Sequence, residues 1–249
     1  TKTPAFESFR PEDFRLYEPR NRGDDSLNAR RLEVRHKLQA IGEAARAALA
    51  KEGLGLERRE SLHHPFSVNH MRVVAQWTAL FRDAKARRAF AAMVGPDLGK
   101  DVDPGNANIC FFVSIDDNGL QIGLRVGEGA WYDAQNFIHQ LGTEAGRRNC
   151  IEAARRAAGF HFRIHDWAQL YPTDSFSRDS IDTILKYYKI GEHRLTCVRV
   201  LAKEDPQGCD PLFLQNAVSG LASLAGLYKF MAWSPENNHL LKPGGGFAH

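Results

Sequence analysis

The sequence predicts an α+β fold, a mostly antiparallel sheet with a central hairpin, covered by several helices. Three observations carry this. Asn118-Gly119 sits inside the run NICFFVSIDDNGLQIGLRV, and the dipeptide is a strong hairpin signal because a type I′ turn needs φ > 0 at both positions. The runs beginning at Arg72 and Phe160 alternate apolar and polar residues, the period of a strand with one buried face. Leu27, Val34, Leu38, Ile41, Ala45 and Ala48 recur instead at helical spacing. At 43% hydrophobic and 25% charged residues in 249, the composition is that of an ordinary globular protein, which excludes wholesale disorder.

A turn at 118–119 pairs Ile115 with Ile122, Val113 with Leu124 and Phe111 with Val126, all on a core face. The other face then sets Phe112 opposite Arg125, Ser114 opposite Gly123 and Asp116 opposite Gln121. It is half polar and notched at the glycine.

In chain order, residues 1–8 are expected to be disordered, 9–233 to form one α+β domain and 234–249, with its Lys-Pro-Gly-Gly-Gly run, a flexible tail. Phe9–Phe14 opens a short helix. Ser26 is a good N-cap for a helix to about Lys51, ended by Gly53 and Gly55, with Arg30, Arg31, Arg35 and Lys37 largely off its apolar stripe. Strands follow at 58–64 and from Arg72. In the second, Val73, Ala75, Trp77, Ala79 and Phe81 alternate with Arg72, Gln76 and Thr78. Asp83 caps a helix over 84–94, and 95–106 is rich in turn formers. After the hairpin, helices are expected at 131–141, with Gly142 at its C-terminus, and from Thr143 towards Gly159. In the strand 160–165, Phe160, Phe162 and Ile164 face one way and His161, Arg163 and His165 the other. A helix at 177–188 and a strand at 193–202 precede a long, buried helix from Asp210-Pro211 to about Trp233. Polar residues from Gln215 to Lys229 keep that helix short of a membrane span.

Several of these residues resemble the YktB-like family of uncharacterised bacterial proteins. The opening Phe9-Arg10-Pro11-Glu12-Asp13-Phe14 is similar to the family's Phe-x-x-x-Asp-Phe, and Arg31–Ala44 to its Arg-rich helix. His63, His70 and Arg72 ahead of Trp77 look like its His/Arg pair before a Trp-containing strand. The likeness covers about the first half of the chain, to Val126. The chain departs from the family in lacking a second Arg after His70-x-Arg72 and in an extra loop before the first long helix. The resemblance implies a compact α+β fold and transfers no activity.

A net charge of +3 and pI near 8.7 are mildly basic, below what alone marks a nucleic-acid protein. Cys110, Cys150, Cys197 and Cys209 form no C-x-x-C pair, so buried free thiols in a reducing compartment are expected. The first 14 residues lack signal-peptide regions, and the expected location is cytoplasmic, away from membranes.

The sequence contains no G-x-S-x-G elbow, H-E-x-x-H or P-loop. Asp116 and Asp117, just before the turn, are structural rather than a catalytic pair. His63, His64 and His70 are the densest histidine group and the candidate metal ligands. His161 and His165 lie ~13 Å apart along a strand, too far for one metal. They instead flank Arg163, whose fork suits phosphate or carboxylate. Gly127-Glu128-Gly129 is an incomplete phosphate-cradle pattern with an adverse charge. Five arginine pairs recur, most of them near acids.

The leading expectation is an accessory or binding protein. Its polar sheet face (Arg72, Gln76, Arg125, His161, Arg163) would take an anionic partner, a phosphate-bearing ligand or nucleic acid. The alternatives are a metal- or His-dependent hydrolase using His63, His64 and His70, and an interaction subunit whose partner covers the apolar C-terminal helix.

Overall fold

A computed structural model of the chain describes residues 6–94 and 105–239. Helices α1 (Pro11–Arg15) and α2 (Asn28–Lys51) come first, then strands β1 (Leu56–Glu60) and β2 (Gln76–Arg82) and helix α3 (Ala84–Val94). The central strands β3 (Cys110–Ile115) and β4 (Gly119–Val126) lead to α4 (Trp131–Leu141) and α5 (Glu144–Arg155). Then follow β5 (His161–Ile164), β6 (Tyr171–Pro172), α6 (Arg178–Tyr187), β7 (Leu195–Ala202), α7 (Phe213–Ser223) and α8 (Ala225–Met231). The strands form one seven-stranded sheet in the order β1-β2-β3-β4-β7-β5-β6, and all pairs are antiparallel. The α+β fold is therefore as the sequence indicates.

The core lies between one face of this sheet and the helices. Phe14 of α1, Leu38 of α2, Phe137 of α4, Cys150 of α5, Ile181 of α6, Leu221 of α7 and Leu227 of α8 join Phe111, Ile122, Leu195 and Phe162 in one cluster. Helix α2 crosses β1, β2 and β3 and packs on α7. The apolar side of α7 is thus covered within the chain, which removes the reason for a partner there. No helix among the described residues is long and apolar enough to cross a membrane.

The hairpin keeps its predicted faces in a different register. Ile115 pairs with Leu120, Val113 with Ile122 and Phe111 with Leu124. The Asp116 carboxylate sets this by accepting from Asn118 N at 2.7 Å and Gly119 N at 3.1 Å. Asp117-Asn118 becomes the loop, and only Gly119, at φ +150°, leaves the usual backbone regions. The change is two residues, so every side chain stays on its face. Asp116→Ala should lower stability by about 1 kcal/mol, one lost side-chain anchor at a tight turn, measured as a lower urea midpoint with an unchanged m-value.

Strand β2 departs further. Its core face carries Gln76, Thr78, Leu80 and Arg82, and its other face Trp77, Ala79 and Phe81, the reverse of the predicted alternation. Each of these side chains finds a partner, although the Gln76 Nε2 is left without one: Gln76 Oε1 accepts from the Tyr17 hydroxyl at 2.7 Å, Thr78 donates to Glu60 at 3.2 Å, and Arg82 pairs with Asp133. Helix α2 repeats the theme. Arg31 and Lys37, expected near solvent, are buried. Arg31 reaches the carbonyls of Leu16, Asn21 and Asp24, and Lys37 lies 2.8 Å from Asp13.

Ser26 does not cap α2: Asp24 caps a short 3₁₀ turn over Asp25–Leu27, its side chain accepting from Ser26 N, and α2 follows from Leu27 without a side-chain cap. The expected single C-terminal helix breaks at Leu224, which caps α7 and opens α8. Segments assigned to disordered ends are partly tied down. Ser8 Oγ donates to Asp210 O at 2.6 Å, and His239 N to Asn136 Oδ1 at 2.8 Å. The rest of those ends, 1–5 and 240–249, and most of the turn-rich 95–106 segment lie outside the described residues. All four cysteines are free thiols, and burial pushes Cys150 up to about 12.

Candidate functional site

The sheet face turned away from this core cluster is the only place where the predicted cationic residues can converge. Directly paired residues of antiparallel strands point to the same side. Phe81 pairs with Cys110, Cys110 with Arg125, Arg125 with Thr196, and Thr196 with Arg163, giving one continuous row. The next row runs Ala79, Phe112, Gly123, Val198, His161. Arg125 and Arg163 therefore share a face two strands apart, about 10 Å between backbones. Gly123 is required where β4 meets β7, because a Cβ there would run into the Cys197 carbonyl.

Arg125 lies over the Phe112 ring at 5.3 Å and 3.9 Å from Cys110 Sγ. Burial raises the Cys110 thiol, and the neighbouring Arg125 only partly counters it. Cys110 is thus a protonated thiol and a poor nucleophile. Among the described residues Arg125 has no carboxylate partner, and its guanidinium keeps its capacity for a ligand.

A cavity of about 620 Å³ opens over this floor, lined by Arg59, Arg72, Trp77, Phe81, Cys110 and Arg125 and bordered by the 68–75 loop. A second, of about 420 Å³, takes in Gly127–Gly129 and Arg194 and shares Trp77, Asn106, Cys110 and Arg125 with the first. The two therefore adjoin at Arg125, and Glu128 puts a carboxylate in the second. Arg59 and Arg72 also lack carboxylate partners among the described residues. The acid beside them, Glu60, is held by Arg58 at 2.9 Å and by Thr78. Arg194 is paired with Asp166. Three guanidinium groups without carboxylate partners among the described residues, with Arg59 and Arg72 exposed and Arg125 half-buried, make this half-open cavity positive. The bordering loop is strained as well. His70 (φ 55°) and Met71 (φ 57°) both hold left-handed backbone, unfavourable for so bulky a residue as Met71.

The predicted site residues thus divide. Arg72 and Arg125 line the first cavity. Arg163 lies on the same face and is partly engaged, donating to Trp167 O at 3.0 Å with Asp166 at 3.9 Å. His161 shares that face, and burial followed by Arg163 lowers its pKa, favouring the neutral imidazole. Gln76 is excluded: it is buried on the opposite face against Tyr17. The histidine group does not form a metal site. His63 and His64 meet edge to face at 4.8 Å, and no set of three metal-ligating side chains converges among the described residues. Burial, His64 and Arg35 all lower the His63 pKa, and Arg35 Nη1 stands 3.3 Å from its Nδ1, a cationic setting that opposes a metal ion. Sequence reasoning missed Arg59 and placed Trp77 in the core. Glu57 and Arg59 alternate with the inward Leu56, Arg58 and Glu60, a signal that could have found Arg59.

No protein-family model matches the chain, and no curated protein matches it significantly. The YktB-like resemblance accordingly rests on the residues quoted for it.

Proposed function

We propose that the open sheet face binds a phosphate-bearing anion, with Arg125 at the centre of the site and Arg59 and Arg72 on its flank. The observation that carries this is the convergence of three arginines without carboxylate partners among the described residues on one 620 Å³ cavity with an apolar floor. Guanidinium groups donate in a fork that matches phosphate oxygens, and an unpaired set of them gains most from an anion. Trp77, partly exposed on the cavity floor, supplies area for an apolar or planar body attached to that anion. The test is isothermal titration with tripolyphosphate at rising ionic strength. Binding should weaken about ten-fold between about 0.05 and 0.2 M salt, since the ion pairs lie in a half-open cavity. Absent binding, or affinity indifferent to salt, rejects the reading.

A further inference from the structure

The second cavity holds what the first does not, a carboxylate without a firm cationic partner. We propose, resting on the anion reading above, that the ligand is a zwitterion whose phosphate meets Arg125 and whose protonated amine meets Glu128.

Arg125 and Glu128 both line the 420 Å³ cavity, yet they form no ion pair with each other. Glu128 accepts no hydrogen bond from any described residue. Its one ion-pair contact among them is His165, whose Nδ1 lies 4.0 Å from Glu128 Oε1. That nitrogen is itself buried and has no hydrogen-bond partner, so neither group satisfies the other. The remaining charges of this cavity do not answer Glu128 either. Arg194 is tied to Asp166, and Cys110 is an uncharged thiol. Arg59 and Arg72, which would repel an amine, line only the first cavity. An unmatched guanidinium and an unmatched carboxylate in one cavity present two opposite charges side by side. The complementary molecule carries the same pair reversed. Glu128 follows Arg125 by three residues, so their backbones are at most ~10 Å apart at about 3.3 Å per residue. With both side chains lining the same space, a short aminoalkyl chain is long enough to join the two ends. Glu128 also acts by exclusion, because a second anionic group in this cavity would meet its carboxylate.

The test is calorimetric displacement of bound tripolyphosphate at neutral pH, where an alkylamine is protonated. Aminoethyl phosphate is compared with ethyl phosphate, and aminopropyl phosphate with propyl phosphate. At least one aminoalkyl phosphate should bind about five-fold more tightly than its alkyl counterpart, the worth of an ion pair to a half-exposed carboxylate. Glu128→Gln should abolish that preference and leave alkyl phosphate binding no weaker, since Glu128 has no hydrogen bond to lose. The comparison of ligands on the unaltered chain needs no variant, so a misfolded variant cannot decide the matter. Alkyl phosphates that bind as tightly as their aminoalkyl counterparts, or a preference that survives Glu128→Gln, overturn the proposal while the anion site stands. Failure of all four monoesters to displace tripolyphosphate overturns it in the same way. Absent tripolyphosphate binding removes the anion site, and the zwitterion site with it.

Discussion

Asp133→Ala is expected to destabilise the fold by about 3–5 kcal/mol, the cost of leaving one partner of a buried ion pair uncompensated. For a chain of this size that corresponds to a fall in Tm of about 10 °C or more. Asp133 is 1% exposed and has three donors: Arg82, Ile109 N at 2.8 Å and Trp233 N at 2.8 Å. It therefore ties the end of β2, the start of β3 and the C-terminal segment to α4. Burial pulls the Arg82 guanidinium down, yet Asp133 and Tyr228 beside it lift it above its ordinary value, so it stays charged. Phe90 packs against Tyr132 at 4.7 Å and Trp233 at 4.3 Å, with Arg82 over its ring at 5.7 Å, so the cation, 5% exposed, is largely screened from solvent by rings. The paired replacement Arg82→Met with Asp133→Leu removes both charges and should recover much of the loss. Urea unfolding of the three chains checks this. A single-variant loss below about 1 kcal/mol would mean that the pair is not buried as described.

The same ion pair explains why part of the fold was not legible. Alternation in 72–81 placed Trp77, Ala79 and Phe81 inward, since apolar residues usually take the buried face. The reverse is stable because Tyr17, Glu60 and Asp133 supply hydrogen-bond partners to Gln76 Oε1, Thr78 and Arg82 from distant parts of the chain. No local pattern encodes such partners, so Gln76 was misplaced into the site and Trp77 out of it. The hairpin faces, by contrast, depend only on parity and were readable. Its register was not, because Asp116 competes for the turn amides and moves the reversal. Arg163 and His161 were correctly assigned to the polar side of their strand. That this side is also Arg125's requires the order β4-β7-β5, which β7, arriving late in the sequence, determines.

Arg125→Glu should weaken tripolyphosphate binding about 100-fold while leaving Tm nearly unchanged. A charge-assisted hydrogen bond is worth about 1.5–3 kcal/mol, and each factor of ten takes about 1.4 kcal/mol. The fold gives up little, because the native contacts of this side chain are the Phe112 ring and a weak approach to Cys110. Arg148→Glu, exposed on α5 on the helical side, makes the same change in net charge. It should alter binding by about two-fold at most, because at physiological ionic strength charges further than about 8 Å are largely screened. The pair of variants separates a located site from diffuse attraction to a basic protein. Equal losses in both would show that the three cavity arginines form no site, and that the weak overall positive charge alone draws the anion.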